Sequence, residues 1–128
     1  MMGEIEMTIL CVDNTPIMLQ SLKENAVKAF PNANIQPFLA AESAWSYAEE
    51  NGCDVLLCEI NPPRLEGLFL AEKIKTLNPR VNIIFVTVCS ESEHAKAVMK
   101  LKPSGYLTKE ATNAQILEEL QNLRYPVA

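Results

Sequence analysis

The sequence lacks several features that identify common classes of protein. No apolar run approaches the roughly 20 residues of a membrane-spanning helix, and the opening MMGEIEM has neither the basic nor the apolar region of a signal peptide. No Gly/Ser-rich, Pro-rich or repeated segment occurs. With 48% apolar residues among 128, the chain is predicted to be one cytoplasmic globular domain over 1–128, with a folded core at 7–123 and a linker or tail from 124.

Clustered positive charge is also absent. The net charge is -5, and the lysines and arginines are scattered along the chain. These properties argue against binding of nucleic acid or of an anionic membrane by the electrostatics of this domain. Protein partners are therefore expected.

Metal-binding and redox patterns are sparse as well. The four cysteines, Cys11, Cys53, Cys58 and Cys89, have no C-x-x-C spacing, and three of them lie in or just after apolar runs. Reduced structural thiols are the preferred interpretation, and a redox switch is the alternative. Because His94 is the single histidine and is interpreted as a solvated residue, a Cys/His zinc site is not predicted.

Five apolar segments alternate with five segments that have helical spacing. The predicted strands are 7–12, 34–40, 54–58, 81–87 and 105–108. The predicted helices are 16–30, 42–51, 67–77, a helix opening at 90, and one from 113 to about 123. This alternation, with most strands apolar throughout, predicts a mostly parallel α/β sheet with helices on both faces.

Local signals mark the ends of these elements. Thr15 and Pro16 suit the N-cap and first position of the first helix, and Gly52 suits a helix end. Residues 90–93 (SESE) and 112–115 (TNAQ) have capping-box spacing. In the third helix, the spacing predicts that three side chains face inward: Leu70, Ile74 and Leu77. Trp45 is predicted to pack in the core.

The order of the strands follows from a proline. Pro37 has no N–H to donate to a sheet ladder, so the second strand is predicted at an edge. This position favours the flavodoxin-like doubly wound order 2-1-3-4-5 over a Rossmann order.

Polar side chains follow four of the predicted strands. They are Asp13, Glu59, Thr87 and Lys109. In open α/β sheets, ligands bind outside the carboxyl ends of the strands, where these four side chains are expected to meet. Two carboxylates, a hydroxyl and an ammonium suit a divalent cation and a phosphoryl group. The alternative is that they are four unrelated, solvated strand ends.

Nearly the whole chain resembles the receiver domains of two-component response regulators, the CheY-like family. The resemblance is carried by four stretches: ILCVDNTPIMLQSL, LLCEINPPRLEG, IIFVT and SGYLTK. It implies a (βα)5 fold, a histidine kinase as phosphoryl donor and bound magnesium. It also implies a switch that rearranges the face made by the fourth helix, fifth strand and fifth helix.

The resemblance assigns roles by position. Glu59 stands at the phosphoacceptor, and Asp13, Glu59 and Asn61 stand at the magnesium site beside Asn14. The remaining assignments are Thr87 and Tyr106 at the switch and Lys109 at the phosphate-binding position.

Four departures from the family pattern all weaken phosphorylation. Glu59 is one methylene longer than aspartate, and a misplacement of about 1 Å can cost about a hundredfold in rate. Asn14 removes a negative charge from the cation site, so magnesium binding is expected to be weak. Val88 narrows access to the pocket, and Glu110 replaces a proline that is commonly cis in the family, which predicts a trans bond and a shifted loop.

These residues together predict a pseudo-receiver that is not an enzyme and works through protein contacts. Its predicted surface comprises 91–101, 105–109 and 112–123, with Val98, Met99, Leu101 and Tyr106 partly exposed, and it is expected to bind a histidine kinase or output domain or to form a homodimer. One alternative is a working phosphotransfer domain whose acceptor is Glu59, or less favourably Asp54 or Glu66. Another is a nucleotide- or flavin-binding domain, which the absence of a Gly-rich loop after the first strand disfavours.

Overall fold

The computed structural model describes residues 7–61, 64–88 and 94–127, and five parallel strands in this part of the chain form one sheet. The strands are β1 (Thr8–Val12), β2 (Asn34–Phe38), β3 (Val55–Cys58), β4 (Asn82–Thr87) and β5 (Gly105–Thr108). Their order is β2-β1-β3-β4-β5. The predicted flavodoxin-like order is confirmed, and all five predicted strands are present.

The helices cover both faces of the sheet. They are α1 (Pro16–Ala29), α2 (Ala41–Asn51), α3 (Glu66–Leu77), α4 (Ala95–Lys100) and α5 (Asn113–Gln121). One core lies between the sheet and α1 with α5, and the other lies between the sheet and α2, α3 and α4. Alternate residues of the central strands enter opposite cores, which explains why these strands are apolar throughout.

Strand β2 lies at the edge of the sheet, as Pro37 predicts. Pro37 lies beside Cys11 in the register of β1 and β2, and β2 has no further strand on its other side among the described residues. A proline is tolerated there because an edge strand need not donate on both sides.

The residues predicted to cap the helices do so in different ways. Thr112 and Gln115 form the complete capping box, in which each side chain accepts from the other residue's backbone N–H. Thr15 is the N-cap of α1 but makes no side-chain cap bond, and Gly52 ends α2 at a φ of 79°. The capping box at 90–93, Cys89 and the Pro62-Pro63 turn lie outside the described residues.

Three expectations about side-chain burial need correction. Leu77 was expected to face inward, but it is the last residue of α3 and is 47% exposed. Val98 and Leu101 were expected to be partly exposed, but they are 5% and 6% exposed because this side of α4 packs into the core. Met99, on the other side, is 70% exposed. Trp45 packs against the core only as a partly buried side chain.

The chain after α5 is attached to the sheet, although the sequence places the start of a linker or tail at residue 124. The backbone N–H of Arg124 donates to Ser104 Oγ at 3.0 Å. Tyr125 exchanges two hydrogen bonds with the side-chain amide of Asn82, at 2.7 and 2.8 Å. Separately, no helix within the described ranges is both long and apolar enough to span a membrane.

Candidate functional site

The four predicted polar side chains meet at the carboxyl end of the sheet. Asp13 follows β1, Glu59 follows β3, Thr87 ends β4 and Lys109 follows β5. Asp13, Glu59 and Thr87 are 1%, 5% and 0% exposed, so two carboxylates and a hydroxyl are withdrawn from water at one place. Buried charges require partners, and the contacts among these residues supply them.

Glu59 is held through both carboxylate oxygens. The Thr87 hydroxyl and the backbone N–H of Asn61 (2.9 Å) donate to Oε2. Lys109 Nζ lies 3.2 Å from Oε1, and the backbone N–H of Val88 donates to the same oxygen at 3.3 Å. Four donors therefore hold the carboxylate in a fixed position.

Lys109 lies between the two carboxylates. Its Nζ donates to Asp13 Oδ2 at 2.7 Å, while the backbone N–H of Thr15 donates to Asp13 Oδ1 at 2.8 Å. Burial by itself lowers the pKa of Lys109, but the hydrogen bond and charge of Asp13, followed by those of Glu59, outweigh burial and raise the pKa above its ordinary value. The ammonium stays charged and balances one of two negative charges.

The loop after β3 depends on local backbone features. A Cβ on Gly67 would lie 1.7 Å from the carbonyl oxygen of Glu59, so only glycine lets the first turn of α3 pack this closely against that loop. Asn61 has a φ of 66°, a left-handed conformation that asparagine tolerates better than most residues. Both features shape the backbone of the loop that follows Glu59.

A cleft opens beside these residues. We call it the carboxylate cleft; it has a volume of about 280 Å³, and its polar lining consists of Asp13, Asn14, Glu42, Glu59, Asn61 and Glu66. Asn14 Nδ2 donates to Asn61 Oδ1 at 3.1 Å, and Asn61 Nδ2 donates in turn to Glu66. The cleft thus brings four carboxylates and two amides to one surface.

Sequence reasoning missed part of this lining. Glu42 was not considered, although it lies near the start of the helix that follows β2, the neighbour of β1. Glu66 was considered as an acceptor and set aside; it lines the cleft and contacts Asn61. Asp54 was placed at the opposite end of the sheet, and it does accept from the backbone N–H of Thr8 there, at 2.8 Å.

The site residues fit a magnesium ion poorly. Each oxygen of Asp13 and Glu59 already accepts at least one hydrogen bond, and Lys109 supplies a competing positive charge. Asn14 contributes an amide where a third carboxylate would strengthen binding. Within residues 7–61, 64–88 and 94–127, no group of three or more His, Cys, Asp or Glu side chains is arranged to hold a metal.

The remaining site residues border this cluster. The ring of Tyr106 packs against Phe85, with centroids 6.1 Å apart, and its side chain is partly buried. Val88 is 65% exposed, and its backbone N–H donates to Glu59. The expectation that the Val88 side chain narrows access stays a prediction.

The three described cysteines are buried and unpaired. Burial raises the pKa of Cys11 to about 12 and raises that of Cys58 well above its ordinary value, so neither thiol readily forms a reactive thiolate. Cys58 Sγ lies 3.2 Å from the carbonyl oxygen of Glu59, beneath the loop of the site. These properties agree with a structural role for these thiols.

Known proteins similar to this chain share its fold. A receiver domain from Methanospirillum hungatei, described as CheY-like, superposes with a TM-score of 0.78 at 24% identity, over 91% of this chain and 92% of that one. The BeF3-activated receiver domain of DrrB superposes with a TM-score of 0.76 at 20% identity, over 91% and 96%. At such identities, these likenesses establish the fold alone.

Sequence relatives agree with the structural ones. The response regulator GacA of Pseudomonas viridiflava is 27% identical over 82 residues, and the response regulator UvrY of Escherichia coli K12 is 29% identical over 82 residues. Each match covers 64% of this chain and 38% of the relative. The model of the response regulator receiver domain matches residues 9–121. The chain therefore belongs to the family of response regulator receiver domains.

Proposed function

We propose that this domain is a pseudo-receiver of two-component signalling, in which Glu59 stands at the phosphoacceptor position and permanently occupies the place of a phosphoryl group. The domain then acts by binding proteins rather than by turning over phosphate. The coarser assignment, a receiver domain of the response regulator family, rests on the family match.

The proposal rests on the contacts that both oxygens of the Glu59 carboxylate make. Its oxygens contact Thr87 and Lys109, the groups to which the family resemblance assigns the switch and phosphate-binding roles. Two backbone N–H groups complete its contacts. A carboxylate held in this way is a poor nucleophile, because phosphoryl transfer depends on an oxygen that is free to lie in line with the leaving group.

Magnesium binding is proposed to be weak. Asp13, Glu59 and Asn61 are the residues that would hold the ion, and a bound ion would supply charge neutralisation for an incoming phosphoryl group. The ammonium of Lys109 already takes this neutralising role between Asp13 and Glu59.

The proposed contact surface is the face of α4, β5 and α5. Met99 is the strongly exposed apolar side chain there, and Tyr106 is partly buried within it. A histidine kinase, an output domain or a second copy of this chain would be the partner. A role in transcription regulation is part of the proposal, because one relative is the uncharacterized transcriptional regulatory protein YesN of Bacillus subtilis. It is 29% identical over 69 residues, which are 54% of this chain and 19% of the relative.

A receiver that still accepts phosphate is the second candidate. It is favoured by the placement of Asp13, Thr87 and Lys109 around the carboxylate, since these groups would also serve an acceptor.

Labelling separates the two candidates. The protein is incubated with magnesium and a small acyl phosphate, and its intact mass is measured beside that of Glu59→Asp. We expect no added phosphoryl mass on the native protein and partial labelling of the variant, whose shorter side chain withdraws the carboxylate from its donors. Stoichiometric labelling of the native protein at Glu59 would establish the second candidate instead.

A further inference from the structure

An apolar groove runs between α2 and α3, away from the α4, β5 and α5 face. We call it the α2–α3 groove; it has a volume of about 340 Å³, and residues that line it include Trp45, Ser46, Phe69, Leu70 and Lys73. Phe69 is 52% exposed, and Trp45 is partly buried. Two aromatic side chains thus border a concave surface in a protein with few aromatic residues.

The groove is continuous with the carboxylate cleft. Ala41, Glu42 and Glu66 line both. Leu39, which is 52% exposed, adds an apolar side chain to the lining of the cleft. One connected surface therefore passes from apolar side chains to carboxylates.

Charge along this surface is uneven. Lys73 contributes the groove's cation, and its Nζ lies over the Trp45 ring at 5.2 Å from the centroid. At the junction with the cleft, the charged side chains are Glu42 and Glu66, which are exposed and partly exposed. The ammonium of Lys109 is engaged deeper in the site by Asp13 and Glu59. Among the described residues neither glutamate forms a salt bridge, so the junction presents unbalanced negative charge.

We propose that the α2–α3 groove docks a protein segment that carries an apolar side chain next to a basic one. The apolar side chain packs between Trp45 and Phe69, and the lysine or arginine lies between Glu42 and Glu66. Apolar anchors surrounded by complementary charge are typical of protein recognition sites. This proposal adds a second surface to the proposed function and does not depend on whether Glu59 is phosphorylated.

Other occupants match the surface less well. A metal ion would make no use of Trp45 and Phe69, and the described residues provide no set of three ligands at the junction. A phosphorylated or nucleic acid ligand would meet carboxylates rather than cations at the junction. A protein segment would contact both the aromatic side chains of the groove and the carboxylates at the junction.

The only tryptophan of the chain is Trp45, so fluorescence reports on this groove alone. The probe is a ten-residue synthetic peptide that alternates leucine with arginine, and its control replaces every arginine with glutamate. We expect saturable change in Trp45 emission with the arginine peptide and no saturation with the glutamate peptide. Equal responses to both peptides would overturn the proposal.

Matched variants locate the binding. Phe69→Ser and Glu42→Gln are each expected to weaken binding about fivefold or more, as truncation of an interface anchor commonly does. Val27→Ser removes a 44% exposed side chain from α1, and Glu49→Gln neutralises an exposed residue of α2 outside the groove. These controls should change binding less than twofold. Equal losses in variants and controls, or self-association in analytical ultracentrifugation that Phe69→Ser abolishes, would contradict docking of a basic segment.

Discussion

The two ends of β4 are both buried and polar, yet they are built differently. Asn82, its first residue, and Thr87, its last, are each 0% exposed. Asn82 contacts neutral groups, namely the backbone of Tyr125 and the Ser104 hydroxyl at 2.8 Å. Thr87 contacts the charged side chain of Glu59.

The difference distinguishes a structural cluster from a functional one. At the amino end of the strands, a neutral amide satisfies backbone groups of a segment 43 residues away, and folding alone accounts for it. At the carboxyl end, two buried carboxylates share one ammonium. Such an arrangement is costly to desolvate, and nothing in the packing of the sheet requires it. The charged end is therefore where function is expected.

Asn82→Ala should give the largest loss of stability. It removes three hydrogen bonds of a buried side chain, so we expect a decrease of about 2–3 kcal/mol in the free energy of unfolding, measured with urea. Asn51→Ala serves as a control, because the Asn51 amide makes an exposed contact with the carbonyl of Tyr47. If both variants lost the same small amount, the amino end would not be a stabilising cluster.

Lys109→Met should lower the free energy of unfolding by less, about 1–2 kcal/mol at neutral pH. The variant leaves Asp13 and Glu59 without their shared cation, but the partial exposure of Lys109 lets water compensate. Urea unfolding measures the change, with Lys28→Met on the exposed surface of α1 as the control. A gain in stability would mean that the charged end is not held together by Lys109.

The difference in stability between the native protein and Lys109→Met should also depend on pH in the alkaline range. Because the folded-state pKa of Lys109 is raised, its contribution is fully present below its unfolded pKa of about 10.4 and is lost as pH rises through the folded-state value. The difference in free energy of unfolding between the native protein and Lys109→Met should therefore shrink as the pH rises above the unfolded pKa of about 10.4. A difference that is constant from pH 8 to 11 would argue against the ion pairs.

Tyr125→Ala should have the smallest effect on the free energy of unfolding. Its backbone hydrogen bonds to Asn82 remain, and the variant loses the aromatic side chain, over whose ring Lys75 and Arg80 lie at 5.0 and 5.4 Å. Tyr125→Phe, which keeps a ring, should lose less in the same urea assay. A loss as large as that of Asn82→Ala would show that the ring, and not the Asn82 amide, holds the segment.

Local signals explain what could be predicted from the sequence. The apolar strands, Pro37 at the sheet edge and the Thr112 capping box each depend on residues close together in the chain. The convergence of Asp13, Glu59, Thr87 and Lys109 followed from the topology of parallel sheets. These expectations needed no knowledge of side-chain packing.

The expectations that failed needed knowledge of packing. Val98 and Met99 are adjacent in a helix of six residues, too short for periodicity to separate the buried side from the exposed one. The contact between Asn82 and Tyr125 joins distant residues, and a single asparagine at the start of a strand gives no pattern that predicts it. Asn61 has a positive φ and bonds to Asn14 and Glu66, residues 47 and 5 positions away, and the sequence did not indicate either feature.

The Glu59 carboxylate is proposed to hold Thr87 and Lys109 in place of a phosphoryl group. NMR spectra of the native protein and of Glu59→Gln test it most directly, because the amide keeps the shape of the side chain and removes its charge. We predict shifted resonances for the backbone amide of Val88, the side chain of Lys109 and the ring of Tyr106, which Glu59 would influence through Thr87 and β4. Changes confined to residues 58–61, with Lys109 and Tyr106 unaltered, would contradict the claim.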